Sequence, residues 1–281
     1  MMDCESKKTT FEKTSVVTEL SPMMQQIRIG IEKKDHLFKT SFCRYAVRAC
    51  YACLFLSLGT TIAFSVAMKM ESIVSNSGKF LYAFMFSWSL VMILFLNGEL
   101  GTANMLYMTI AVHRKILSFK TAVTILFICI FFNLVGAIVC AYLLSYTGTF
   151  AQLASHNYFF DSVQAKLLKP SSQILVEGIF ANIVVNIAVL MGLRIKEDTG
   201  KILVMIFIIY IFAFLGYEHV IANFPTFSLA LFVSHGTLND LVPSNILRNI
   251  FFALLGNYIG GGLIMGFGYS WLNSNTTQYL D

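Results

Sequence analysis

The chain has 281 residues and a net charge of +5, with 57% hydrophobic and 12% charged residues, and a mean hydropathy of +0.70. A soluble domain carries about 25% charged residues, so the composition excludes an ordinary soluble protein and points to one embedded in a membrane. The basic residues flank apolar runs instead of clustering on one face, which excludes a nucleic-acid-binding surface and is where membrane topology uses them.

Residues 1–40 hold many charges and no apolar run, the pattern of a cytoplasmic tail and not of a cleavable leader. Within it, Ser21-Pro22 is a helix start, with Ser as cap and Pro at the first helical position. Met24, Ile27 and Ile31 follow at helical spacing, which predicts a short amphipathic helix at the cytoplasmic surface. Six apolar segments come next, at 43–67, 80–112, 119–146, 174–193, 202–234 and 246–272, each near or above the ~20 residues a bilayer needs. They define a transmembrane channel domain over 41–273, followed by a cytoplasmic tail over 274–281. The sequon Asn275-Thr276-Thr277 falls in that tail and is expected to stay unmodified. Fifteen of the twenty Lys and Arg fall on the side of the two termini. The positive-inside rule therefore puts both termini in the cytoplasm and makes this a multi-pass protein of the plasma (cell) membrane.

The six cysteines include Cys50 and Cys53 as a C-x-x-C, with no second pair and no nearby His to complete a metal set. No metal and no cofactor is expected; these thiols read as apolar packing.

The second and fifth segments are too long for one span and are interrupted alike. Leu96-Asn97-Gly98-Glu99-Leu100-Gly101-Thr102-Ala103-Asn104 and Leu215-Gly216-Tyr217-Glu218-His219-Val220-Ile221-Ala222-Asn223 share Leu, then Glu three positions on, then Ala-Asn. Each puts a carboxylate, a Gly and an Asn where lipid-facing helix tolerates none. The pieces after the breaks, 104–112 and 224–233, are too short to cross and read as half-helices. Asn133-Leu134-Val135-Gly136 and Asn257-Tyr258-Ile259-Gly260 match one span further on. The chain thus reads as two three-span copies. An odd number of spans per copy inserts the copies with opposite orientation. The expected fold is an all-α membrane protein of six transmembrane helices, two inverted three-helix repeats with broken second and fifth helices, aquaporin-like in architecture. Such paired breaks point to a solute site at the membrane midplane.

These residues give the chain its resemblance to the formate/nitrite transporter family. Glu99-Leu100-Gly101-Thr102 matches the family's first-break loop, Gly178-Ile179-Phe180-Ala181-Asn182 the start of its fourth span, and Glu218-His219-Val220-Ile221-Ala222-Asn223 its second break. The resemblance runs from Ser21-Pro22 through the sixth span. It implies a homopentamer in the lipid bilayer, each protomer with its own pore, passing small monovalent anions. Formate leads, with nitrite, hydrosulfide, acetate and lactate behind it, and a proton as co-substrate. It implies a constriction at Phe212 and Leu100, with Gly101, Leu90, Phe86 and Val185 beside them, and a Lys sixteen residues before Asn182, which is Lys166. Spacing alone chooses Lys166 over Lys169. Gly101 departs from the family's usual aromatic, which implies a wider outward side.

An isolated carboxylate loses tens of kcal/mol of solvation in a dry apolar pore, but a weak acid can cross protonated. His219 is the one imidazole in either break, and an unperturbed imidazole titrates near ~6.5. It is expected to supply or stabilise the proton. Thr102 adds a hydroxyl, and the half-helix opening at Ala103-Asn104 a positive dipole end. Lys166 gathers anions at the outer mouth. Asn182 is either a pathway residue or a link between helices. Glu99 and Glu218 anchor the breaks by accepting backbone N–H bonds or by pairing between protomers, and Asn104 and Asn223 cap them. The competing reading is an aquaporin-like channel for a neutral solute, which depends on an Arg near the breaks that this chain lacks. No enzymatic activity and no nucleic-acid partner is expected.

Overall fold

A computed structural model of the protein describes residues 20–150, 153–154 and 156–273; Cys4, the 274–281 tail and its sequon lie outside them. Helix α1 spans Pro22–Thr40, with the Ser21 side chain accepting from the Met24 amide. Met23, Met24, Ile27 and Ile31 are buried along one face, which packs on three other helices of the bundle. The helix is longer than the apolar periodicity suggests and carries Lys34 inward at its fourth turn.

Among the described residues, six helices are long and apolar enough to cross a membrane. The first is α2 (Phe42–Glu71) and the third α6 (Phe119–Ser145). The fourth is α8 (Ser171–Arg194) and the fifth α9 (Asp198–Leu215). The second is made of α3 (Gly78–Phe86) and α4 (Trp88–Phe95). These meet at Ser87, whose hydroxyl donates to the Phe84 carbonyl at 2.6 Å, a local bond that competes with the helix ladder and bends it. The sixth is α11 (Pro243–Asn257), a π-helical segment Tyr258–Phe267, and α12 (Gly268–Leu272). Two shorter helices follow the interruptions, α5 (Gly101–His113) and α10 (Val220–Val233). Helix α7 (Tyr158–Leu168), which the periodicity did not suggest, is capped by Asn157 through the Phe160 amide at 3.0 Å.

The interruptions have a backbone cause. Asn97 has φ 56° and Gly216 φ 69°, and these are the same position in the two aligned segments. A left-handed residue ends an α-helix, and Gly and Asn adopt that conformation most cheaply.

Close helix contacts are bought with small residues. A Cβ on Gly136 of α6 would lie 2.6 Å from the Cys50 carbonyl of α2, and one on Gly260 would lie 2.1 Å from the Ile179 carbonyl of α8. The matched Asn-x-x-Gly strings therefore mark the same contact in each half. The outward face of α6 is apolar and exposed at Phe127, Phe131, Val139 and Leu143, a surface that needs lipid or another protomer to cover it.

Candidate solute pathway

Each interruption is held by one asparagine from the following span. Asn133 accepts from the Gly101 amide at 2.9 Å and donates to the Glu99 carbonyl at 2.9 Å and the Ala49 carbonyl at 2.7 Å. Asn257 accepts from the Val220 amide at 2.8 Å and donates to the Glu218 carbonyl at 2.9 Å and the Gly178 carbonyl at 2.8 Å. Both asparagines are fully buried. Backbone groups freed by a helix break have no water to turn to inside a bilayer, and the two amides take over that task.

The carboxylates are anchored by side chains. Glu99 accepts from Lys34 Nζ at 2.6 Å and Asn104 Nδ2 at 3.1 Å. Glu218 accepts from Lys169 at 2.7 Å, Lys166 at 3.2 Å, Asn223 at 2.7 Å and Asn249 at 3.3 Å. Side chains take the place expected of backbone N–H groups: a lysine ammonium binds a buried carboxylate more strongly than a backbone amide does because it cancels its charge. The same bonds correct the role of Asn104 and Asn223, whose amides hold the carboxylates instead of capping the half-helices. Lys34 was missed in the sequence. The repeat contained the signal, because Glu99 needs a lysine if its counterpart Glu218 has one.

Between the interruptions lies a small chamber of about 20 Å³. It is lined by Phe86, Leu90, Leu100, Val185, Phe212 and His219, together with Leu56, Ser89, Ile93, Ile209 and Ala222. The structure thus gathers five of the six residues expected at the constriction. Gly101 is the exception. A Cβ there would sit 2.7 Å from Ile130 and 3.1 Å from the Asn133 side chain, so the position turns toward α6 and its clamp, and an aromatic ring would strike them. The expectation of a wider pore at Gly101 is corrected accordingly.

His219 Nδ1 accepts from the Ala222 amide at 3.1 Å, and Nε2 lies 2.8 Å from Thr102 Oγ1. An acceptor Nδ1 carries no proton, so the neutral ring bears its hydrogen on Nε2 and donates it to Thr102. Two residues from opposite halves therefore meet at one polar point, with His219 in the wall of the apolar chamber and Thr102 bonded to it. Asn182 stands behind it: its amide donates to the Thr102 carbonyl at 3.2 Å and the Asn257 carbonyl at 2.8 Å, and it does not line the chamber.

A cavity opens on each side. Toward α7, about 40 Å³ is lined by Tyr82, Lys166, Phe212 and Tyr217 among others. Lys166 is among its lining residues and Lys169 is not. Burial lowers the Lys166 pKa, with Glu218 pulling the other way; burial also opposes charge on Lys169, but Glu218 and Glu177 prevail and raise it. Toward α1, a vestibule of about 540 Å³ is lined by Lys33, Lys34, Arg48 and Lys201, against two carboxylates, Glu99 and Asp198. Among the described residues no cluster of three metal-ligating side chains occurs.

The family model described as "Formate/nitrite transporter" matches residues 22–271. The chain belongs to the formate/nitrite transporter family. The uncharacterized transporter YwcJ of Bacillus subtilis is 29% identical over 250 residues, covering 89% of this chain and 97% of that one. Among solved structures, an FNT family ion channel superposes with a TM-score of 0.83 at 23% identity, covering 90% of this chain and 98% of that one. A second, titled a pentameric formate channel with formate bound, gives 0.67 at 22% identity over 84% of this chain and 98% of that one. Membership in the formate/nitrite transporter family and the six apolar helices make this an integral, multi-pass membrane transport protein.

Proposed function

We propose that the protein is a homopentameric channel for small monovalent weak-acid anions, formate first, with a separate pathway in each protomer, in a cell membrane with both termini cytoplasmic. One observation carries the reading: an apolar chamber of about 20 Å³ whose wall holds an imidazole bonded to a threonine at 2.8 Å. About 10–15 Å³ suffices for one water, so a hydrated ion does not fit as such.

The basic residues at both mouths concentrate anions, most strongly on the α1 side, where lining cations outnumber carboxylates. Inside the chamber a bare carboxylate pays a large desolvation cost, so the solute crosses as the neutral acid and leaves its proton at the far mouth. With Nδ1 tied to the Ala222 amide, charging the imidazole means giving up that cap. His219 therefore acts as a hydrogen-bond donor through Nε2. Thr102 Oγ1, which rotates freely as donor or acceptor, meets the acid's O–H or its carbonyl oxygen. The pseudo-equivalent lysine sites, Lys34 and Lys166, favour an anion over the neutral solute of an aquaporin-like channel.

Formate flux in proteoliposomes at two external pH values tests this. Flux should rise as pH falls on the feeding side. His219→Phe should lower formate flux at every pH, because the Nε2 donor is lost, while the pentamer still assembles, as native mass spectrometry would report. A His219→Phe pentamer with the wild-type flux would refute the role of His219; a clean monomer or dimer of wild type would refute the assembly.

A further inference from the structure

Ser89 of α4 has no part in the account so far. It is 1% exposed and lines the same chamber as His219, Leu100 and Phe212. Its Oγ is buried and makes no hydrogen bond within the described protein. Ser87 and Ser65 spend their hydroxyls on their own helix, on the Phe84 and Thr61 carbonyls at 2.6 Å each, while Ser57 and Thr60 of α2 are unpartnered like Ser89 but do not line the chamber. A buried hydroxyl with no partner costs free energy that an alanine would not. Room for it is made on α2, where a Cβ on Gly59 would fall 1.8 Å from Ser89 Oγ. The hydroxyl rests in the Gly59 notch, and one χ1 step between staggered wells takes it from the notch toward the chamber its side chain lines.

Of the other polar groups at the chamber, His219 Nε2 is committed to Thr102 Oγ1, which leaves the threonine O–H to meet one solute atom. A solute with a single acceptor atom is served by that pair. Formate and nitrite present two oxygens, and formic acid an O–H and a carbonyl. We infer that the Ser89 hydroxyl is the second hydrogen-bonding group for a two-oxygen solute, and so sets the preference for such anions over single-centre ones such as hydrosulfide. The inference rests on the anion pathway proposed above. A serine hydroxyl serves both protonation states, accepting from O–H or donating to oxygen.

Stopped-flow uptake of formate, nitrite and hydrosulfide into proteoliposomes decides it. Ser89→Ala should lower formate and nitrite flux about fivefold, the worth of one neutral hydrogen bond, while hydrosulfide changes by less than about twofold. Its thermal unfolding should be no lower than wild type, because the lost hydroxyl had no partner. Gly59→Ala closes the notch and commits the hydroxyl to the chamber, so the formate-to-hydrosulfide ratio should hold or rise; this variant decides the matter if Ser89→Ala fails to assemble. Equal loss of all three solutes in Ser89→Ala, no loss of any, or a falling ratio in Gly59→Ala would overturn the role of Ser89 and leave the anion pathway standing. A wild-type protein that passes none of the three would overturn both.

Discussion

The two interruptions share a scaffold and differ at their tips. Glu99 and Glu218 are each held by lysine and by the asparagine five residues on, and each break is clamped by an asparagine that makes three bonds to backbone. Between glutamate and Ala-Asn, however, the first half has Leu100-Gly101-Thr102 and the second His219-Val220-Ile221. The duplicated residues keep backbone folded where lipid offers no help. The chemistry sits in the three that were free to diverge. Each half contributes one polar tip, and the two meet across the pseudo-symmetry axis at 2.8 Å.

Removing the carboxylates should separate the halves most. Glu218→Ala takes a carboxylate from two lysines, of which Lys169 keeps Glu177, against one in Glu99→Ala, and an uncompensated buried charge costs roughly 3–5 kcal/mol. Thermal unfolding in detergent should drop for both and more for Glu218→Ala; equal drops would mean the second lysine is idle. The clamps should behave as equals. Asn133→Ala and Asn257→Ala each strand buried backbone groups, at about 1–3 kcal/mol per group, and a large difference in unfolding temperature would show that one half depends on its clamp less. Gly101→Phe sharpens the contrast at the tips. Overpacking against Ile130 and Asn133 should cost about 1–3 kcal/mol and leave the lactate-to-formate flux ratio unchanged; a selective loss of lactate would put position 101 back in the pore. The smallest effect is at high pH. The Lys34 pKa is raised from 10.5: burial opposes its charge, and the Glu99 carboxylate outweighs it. Stability from a raised lysine is complete below its unfolded value and is lost as pH rises through the folded one. Protease protection of α1 should therefore be flat across neutral pH and fail only above about 10.5, and Lys34→Met should remove that alkaline step.

The six spans were legible because apolar length and basic flanks act locally. The repeat was legible for the same reason that it exists: Glu, Ala-Asn and Asn-x-x-Gly each answer a demand of buried backbone and recur where the demand does. What the sequence hid depends on direction in space. Gly101 sits next to a pore residue yet points at α6, since successive helix positions face about 100° apart. Asn182 matches a pathway motif but braces Thr102 from behind. Ser89 has no motif at all; only the bend at Ser87 and the absent Cβ of Gly59 bring its hydroxyl beside the chamber. The π-helical segment was equally silent, although Gly260-Gly261-Gly262 fits it closely against α8 and α5.

The size of the central chamber has a bioenergetic consequence. Protons cross membranes fastest along unbroken files of hydrogen-bonded water, and a chamber of about 20 Å³ walled by Leu100, Phe86 and Phe212 has room for roughly one molecule, too few to make a file. On the proposed pathway a proton then travels only as part of an acid, one per solute. Such a pathway stands open to a weak acid and still keeps the ion gradient that drives the cell's other work.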